Sequence, residues 1–255
     1  MSFAVVALVG VTCITLDING DENLLFFIFF ATITGYNFIK YSRLAKWHHL
    51  SLTESLRSIQ IFSFLCFFGL IYFTFQVAHE VILGCLVMAV LTVLYALPVF
   101  SRKRNLRALP GVKIYTIGVV WAGVTVLLPI LQQAEVINWD VYIMLLQRFL
   151  FVLVITLPFD IRDMQYDDVA IGTIPARIGV KKTKILGVLF LVVFVFLEVL
   201  KDEITSLNVL STLVISIFSG TLLILASEKQ SKYYASLIVE SIPLVWLLLV
   251  FLLTS

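Results

Sequence analysis

The sequence predicts an all-α integral membrane protein, a nine-transmembrane-helix bundle forming a single domain over residues 1–255, and three observations carry that prediction. Apolar windows of about 20 residues, the length that spans a bilayer core, recur nine times along the chain. Charged residues make up only 13% of it and hydrophobic ones 61%, whereas a soluble domain carries about 25% charged residues. Finally, the basic residues collect on alternate loops, the pattern that marks cytoplasmic loops. Strand-like alternation is absent, and helices hide their backbone polar groups within each segment.

The windows lie near 2–16, 23–42, 59–77, 80–100, 112–132, 139–158, 184–200, 206–226 and 233–253. The first and seventh are short. Connections are brief except for 43–58, 101–111 and 159–183, which read as loops. With the N-terminus in the cytoplasm, 15 of the 18 Lys and Arg residues fall on inner loops and only Lys201 on an outer one. Lys40 then sits at the inner end of the second helix and Arg148 within the sixth. The outer loops carry acids instead, among them Asp17, Asp21, Glu80, Asp140 and Glu203. The three long loops are therefore cytoplasmic, the C-terminus lies outside, and the cell membrane is the expected location. A cleavable signal peptide is not expected, because the first window lacks a basic flank and a small-residue cleavage site. Dispersed basic residues and a net charge of +2 give no electrostatic footprint for nucleic acid. Cys13, Cys66 and Cys85 lie in separate apolar segments, as packing residues do.

One stretch carries chemistry. Leu157-Pro158-Phe159-Asp160-Ile161-Arg162-Asp163-Met164-Gln165-Tyr166-Asp167-Asp168 stands at the inner mouth of the sixth window. Asp160, Asp163 and Asp167 are spaced i, i+3, i+7, which puts them on one helical face. Three carboxylates on one face repel one another unless a cation sits among them, and Mg²⁺ is held by a few carboxylates together with water and phosphate oxygens. A solvated acidic cap at the helix end is the bland alternative. The basic loop Ser101-Arg102-Lys103-Arg104 lies on the same side of the membrane, where cations suit a phosphate as well as plain topology.

Asp160-x-x-Asp163-x-x-x-Asp167, followed by Gly172-Thr173-Ile174-Pro175 and Gly179, resembles the UbiA family of intramembrane prenyltransferases. The resemblance extends to helix number and topology over essentially the whole chain. It implies Mg²⁺-dependent transfer of a prenyl group from a (poly)prenyl diphosphate to an aromatic or other lipophilic acceptor. Asp160, Asp163 and Asp167 would then be metal ligands and catalytic residues, with Asp168 competing with Asp167 for the third position. The family's other acidic motif, N-x-x-x-D-x-x-x-D at the end of the second helix, is degenerate: Asn37 is present, but Tyr41 and Ala45 replace both acids. Candidate diphosphate contacts are Asn37, Lys40, Arg43, Arg102, Lys103 and Arg162, with Lys40 or Arg43 standing in for a lost cation. Asn37 has packing between helices as its alternative role.

Such chemistry calls for a water-poor apolar cavity faced by aromatic side chains, for which Tyr95, Tyr115 and Trp121 are candidates beside simple packing. Away from this end, Arg148 is expected to pair with Glu240 of the ninth helix, and Glu198 to snorkel from an outer helix end. Two alternatives remain. A non-catalytic UbiA-fold protein that binds isoprenoid or lipid would account for the degenerate motif. A small transporter fits poorly, since transporter sites lie near the midplane.

Overall fold

The computed structural model describes residues 1–41, 54–96, 112–164, 173–231 and 233–254, with only the backbone at 39–41, 54–58 and 96. All regular structure among these residues is helical. The helices are α1 Ser2–Thr15, α2 Glu22–Tyr41, α3 Glu54–Thr74, α4 His79–Ala96, α5 Val112–Gln132 and α6 Trp139–Asp163. A short α7 Ile174–Ile178, then α8 Val180–Glu198, α9 Ser206–Leu225 and α10 Tyr234–Thr254 complete the chain. Four of them, α5, α6, α9 and α10, are long and apolar enough to cross a membrane. The apolar stretches Ser2–Thr15, Ile59–Thr74 and His79–Tyr95 are shorter. This is an integral membrane protein.

Expectation and structure part at the 159–183 loop. Pro158 does not end α6, which runs five residues further to Asp163. The loop then holds α7 and the first turn of α8. Gln230 Nε2 donates to the Pro158 carbonyl oxygen at 2.8 Å, tying this last part of α6 to the turn before α10. Polar and charged residues hid this helical end from an argument based on apolar length.

Prolines also explain the two composite helices. In α5 a π turn spans Gly123–Leu127, just before Pro129. In α10 a π turn and a 3₁₀ turn precede Pro243. Pro129 has no N–H for the Thr125 carbonyl one turn back, and Thr12 Oγ1 of α1 donates to that oxygen instead, at 2.8 Å. A local backbone defect thus becomes a tie between helices.

The core is built on α6. Its Phe151, Val152, Leu153, Val154, Leu157 and Ile161 are all buried. Phe151 packs against Phe194 of α8 and Trp246 of α10, with ring centroids 5.8 and 4.9 Å away. On the other side, Gly118 of α5 admits the Phe149 ring, which would lie 2.8 Å from an added Cβ. At the far flank α2 and α3 join through Phe26, Phe30 and Phe73.

The α7–α8 junction turns on Gly179, at φ +81° and ψ 157°, a region open essentially to glycine alone. Its N–H closes α7 on the Pro175 carbonyl at 2.9 Å. Its carbonyl accepts from both the Thr183 amide and the Thr183 hydroxyl, opening α8. Nothing lies within 4 Å of an added Cβ, so substitution here acts on the backbone alone. Gly179→Ala is expected to cost about 1–3 kcal/mol, read as a lower Tm of the detergent-solubilised protein. An unchanged Tm would mean that the junction adapts without strain.

Candidate functional site at the end of α6

Asp160 and Asp163 lie one turn apart on the last two turns of α6, so both carboxylates issue from neighbouring positions of one helical face. Their environments differ sharply. Asp160 is 3% exposed, and its helix neighbours Leu157 and Ile161 belong to the apolar cluster with Ile114 and Ile174. Its Oδ1 meets Lys113 Nζ of the first turn of α5 at 2.7 Å. Asp163 is more open, and its Oδ1 accepts from Arg162 Nε at 2.8 Å. The Arg162 guanidinium lies 5.5 Å over the Phe159 ring.

A buried carboxylate is tolerated only when charge and hydrogen bonds compensate its desolvation. Lys113 meets that need for Asp160. The two residues are 47 positions apart, and packing of α5 against α6, through Ile114 and Gly118 against Leu153 and Phe149, brings them together. Thr173 and Pro175 are buried as well, so the Thr-x-Pro element folds back beneath this end of α6. Gln230 and Tyr234 close it from α10 and the turn before it: Gln230 holds the Pro158 carbonyl and the Tyr234 hydroxyl donates to Leu222 O at 2.6 Å.

The other candidates divide into two groups. Asn37 is described, and its Nδ2 donates to Ser63 Oγ of α3 at 2.6 Å, while Ser63 Oγ bonds Ile59 O. Asn37 therefore joins α2 to α3, the packing role that the sequence leaves open for it. Asp167, Asp168, Arg43, Arg102 and Lys103 lie outside the described residues, as does the side chain of Lys40 on α2. Of the aromatic candidates, Tyr95 is buried. Tyr115 is 47% exposed and stacks on Phe149 at 6.4 Å, and Trp121 packs into the core.

The donor set suits a hard cation. Mg²⁺ binds proteins through one or two carboxylates and leaves its other positions to water and substrate phosphate. Asp160 and Asp163 supply two such groups, and Lys113 and Arg162 place positive charge beside them for an anionic ligand. Among the described residues no cluster of three or more His, Cys, Asp or Glu side chains forms a metal cage.

No family model matches the chain, and no curated protein matches it in sequence. Solved structures do. A UbiA homologue from Aeropyrum pernix K1 superposes with a TM-score of 0.68, covering 99% of this chain and 96% of that one at 12% identity. The chain has the UbiA fold. A digeranylgeranylglyceryl phosphate synthase gives a TM-score of 0.59 at 18% identity, over 98% of this chain and 91% of that one. A UbiA homologue from Archaeoglobus fulgidus, solved with GPP and Mg²⁺, gives 0.58 at 11% identity, over 99% and 94%.

Lys113 is the site residue that sequence reasoning missed. It appears there only as one of many inner-loop cations, and no motif links it to an acid 47 residues away. The UbiA fold supplies that link by laying the start of α5 against the end of α6. If Lys113 and Asp160 form a coupled pair, Lys113→Met and Asp160→Asn each lower Tm, and the double variant loses less than the two together. A double-mutant cycle on thermal unfolding should give a coupling of about 0.5–3 kcal/mol; strict additivity would sink the pairing.

Proposed function

We propose that this protein is a UbiA-like membrane prenyltransferase, moving a prenyl group from a (poly)prenyl diphosphate to an aromatic or other lipophilic acceptor. The observation that carries this reading is the buried Asp160 carboxylate, held against Lys113 at the end of the core helix, in a fold shared along nearly the whole chain with a homologue solved with GPP and Mg²⁺. The reading includes nine membrane-crossing helices in one domain, with the N-terminus and this site facing the cytoplasm and the C-terminus outside.

In this proposal Asp160, Asp163 and Asp167 hold Mg²⁺. When bound, Mg²⁺ neutralises diphosphate oxygens and so eases departure of that group. The chain's own residues do the rest. Lys113, anchored on Asp160, presents a cation at the mouth of the site, and Arg162, two residues along α6 and bonded to Asp163, presents another. Arg43, Arg102, Lys103, Lys40 and Asn37 are the further diphosphate contacts in this reading. The apolar cluster of Leu157, Ile161, Ile114 and Ile174 beneath Asp160 keeps water away from the carbon that becomes electron-poor as the C–O bond lengthens. The acceptor then attacks that carbon, diphosphate leaves toward the cytoplasm, and a proton from the acceptor passes to solvent.

A second reading has specific support. Tyr41 and Ala45 stand where the family's other two acids would be, and Lys113 already neutralises Asp160. Both fit a UbiA-fold protein that binds isoprenoid lipids without transferring them.

Purified protein with geranylgeranyl diphosphate and a mixed pool of aromatic and lipid acceptors should release diphosphate only when Mg²⁺ is present. Asp160→Asn and Asp163→Asn are expected to lower that rate at least about 100-fold, the loss of about 2.7 kcal/mol of transition-state stabilisation. Prenyl diphosphate that binds but is never consumed supports the second reading. Mg²⁺-independent turnover unaffected by either substitution would remove both acids from the mechanism.

A further inference from the structure

Inside the bundle, charged side chains meet protein groups. Glu198, expected to snorkel, is instead 2% exposed, with Lys201 Nζ 2.8 Å from both of its oxygens. Glu240 meets the Met1 amino group and not Arg148. Arg148 Nη2 donates to Thr12 Oγ1 at 3.0 Å, and its guanidinium carbon sits 5.0 Å over the Trp246 ring. The cations around the α7–α8 junction are placed differently. Arg177, Lys181, Lys182 and Lys229 are all exposed, and none of them forms an ion pair among the described residues.

Two of these cations crown an apolar stripe. At about 100° per residue, Lys181 and Lys182 share one face of α8 with Ile185, Val188, Leu189, Val192 and Phe196. These five apolar side chains are 37–61% exposed. On the opposite side of α8, Thr183, Gly187 and Phe194 are buried, and Gly187 faces Leu157 of α6 and Leu223 of α9. The stripe is therefore turned out of the bundle, toward lipid. From Ile185 to Phe196 it rises roughly 17 Å, close to half of a hydrocarbon core about 30 Å thick. That length fits the acyl chains of one leaflet, and the lysines stand where headgroups begin. Lys184 differs from its neighbours: its Nζ donates to the Ile224 carbonyl oxygen at 2.7 Å. This bond seats the start of α8 against the end of α9, so the turn that carries Lys229 lies at the same end of the bundle. Clustered cations at the end of a membrane helix attract anionic headgroups. We propose that the α7–α8 junction binds an anionic phospholipid, its phosphate held by Lys181 and Lys182, with Arg177 and Lys229 on the rim. The acyl chains lie along the α8 stripe, and binding steadies the turn at Gly179.

The test uses the full-length protein in detergent and needs neither Mg²⁺ nor a prenyl substrate, so its outcome is independent of the transferase reading. Thermal unfolding is followed while phosphatidylglycerol, or phosphatidylcholine with the same acyl chains, is added at constant ionic strength. Tm should rise with phosphatidylglycerol and saturate, and respond less to phosphatidylcholine. Both lysines are exposed, so the double variant Lys181→Gln, Lys182→Gln is expected to fold. It should raise the half-saturating phosphatidylglycerol concentration roughly 10- to 30-fold, whereas Lys181→Arg with Lys182→Arg should keep the wild-type midpoint. Equal shifts with the two lipids would show that acyl contact alone acts, and overturn the proposal. A phosphatidylglycerol effect whose midpoint is unchanged in the glutamine variant would overturn it equally, by placing the headgroup elsewhere.

Discussion

A side chain that carries charge into a bundle surrounded by lipid must find its compensation inside the bundle, and α6 takes four strongly polar groups below the surface: Asp140, Gln147, Arg148 and Asp160. Much of the architecture can be traced to how each is met. Asp140 accepts from the Asp202 and Glu203 amides, which fixes the turn after α8 against the start of α6. Gln147 bonds Phe194 O and Glu198 of α8. Arg148 reaches Thr12, whose hydroxyl in turn fills the carbonyl that Pro129 leaves open in α5. Asp160 draws Lys113 of α5. Between these ties lie Phe151 to Leu157, which pack by shape alone. Apolar contact gives little preference for protein over lipid, so directional bonds and close packing set helix partners.

This division explains what was legible in the residues and what was not. Apolar length located α5, α6, α9 and α10 within a few residues at most ends, because a bilayer imposes a length that composition alone records. It failed after Pro158, where α6 continues through Phe159 to Asp163 on polar residues and where tertiary partners, above all Gln230, hold the turn. Motif spacing found Asp160 and Asp163, since i and i+3 on one helix is a local relation. It did not find Lys113, because pairing across 47 residues depends on which faces of α5 and α6 meet. The Arg148–Glu240 pairing failed for the same reason: opposite charges in two apolar windows are a plausible pair, yet helix rotation gives Arg148 a hydroxyl and an indole ring instead.

Gly179 illustrates the reverse case, in which a single residue type already contained the geometry. A glycine between Ile178 and a Val-Lys-Lys start to the next helix reads simply as a helix boundary. The structure shows why no other residue serves: φ +81° with ψ 157° lets one carbonyl open α8 while the amide closes α7. The tight reversal accompanies burial of Thr173 and Pro175, while Ile174 between them packs with Leu157 and Ile161 of α6.

The two polar centres on α6 make opposite electrostatic demands, and their separation follows from that. At Asp160 the buried charge is negative and its protein partner, Lys113, comes from a helix end with access to the surface. At Arg148 the guanidinium is fixed by Thr12 and by the Trp246 face, and nothing on its own helix can leave to compensate a new charge. About 18 Å of helix rise separates the two charges, and the buried Phe151, Val152, Leu153, Val154 and Leu157 fill the interval.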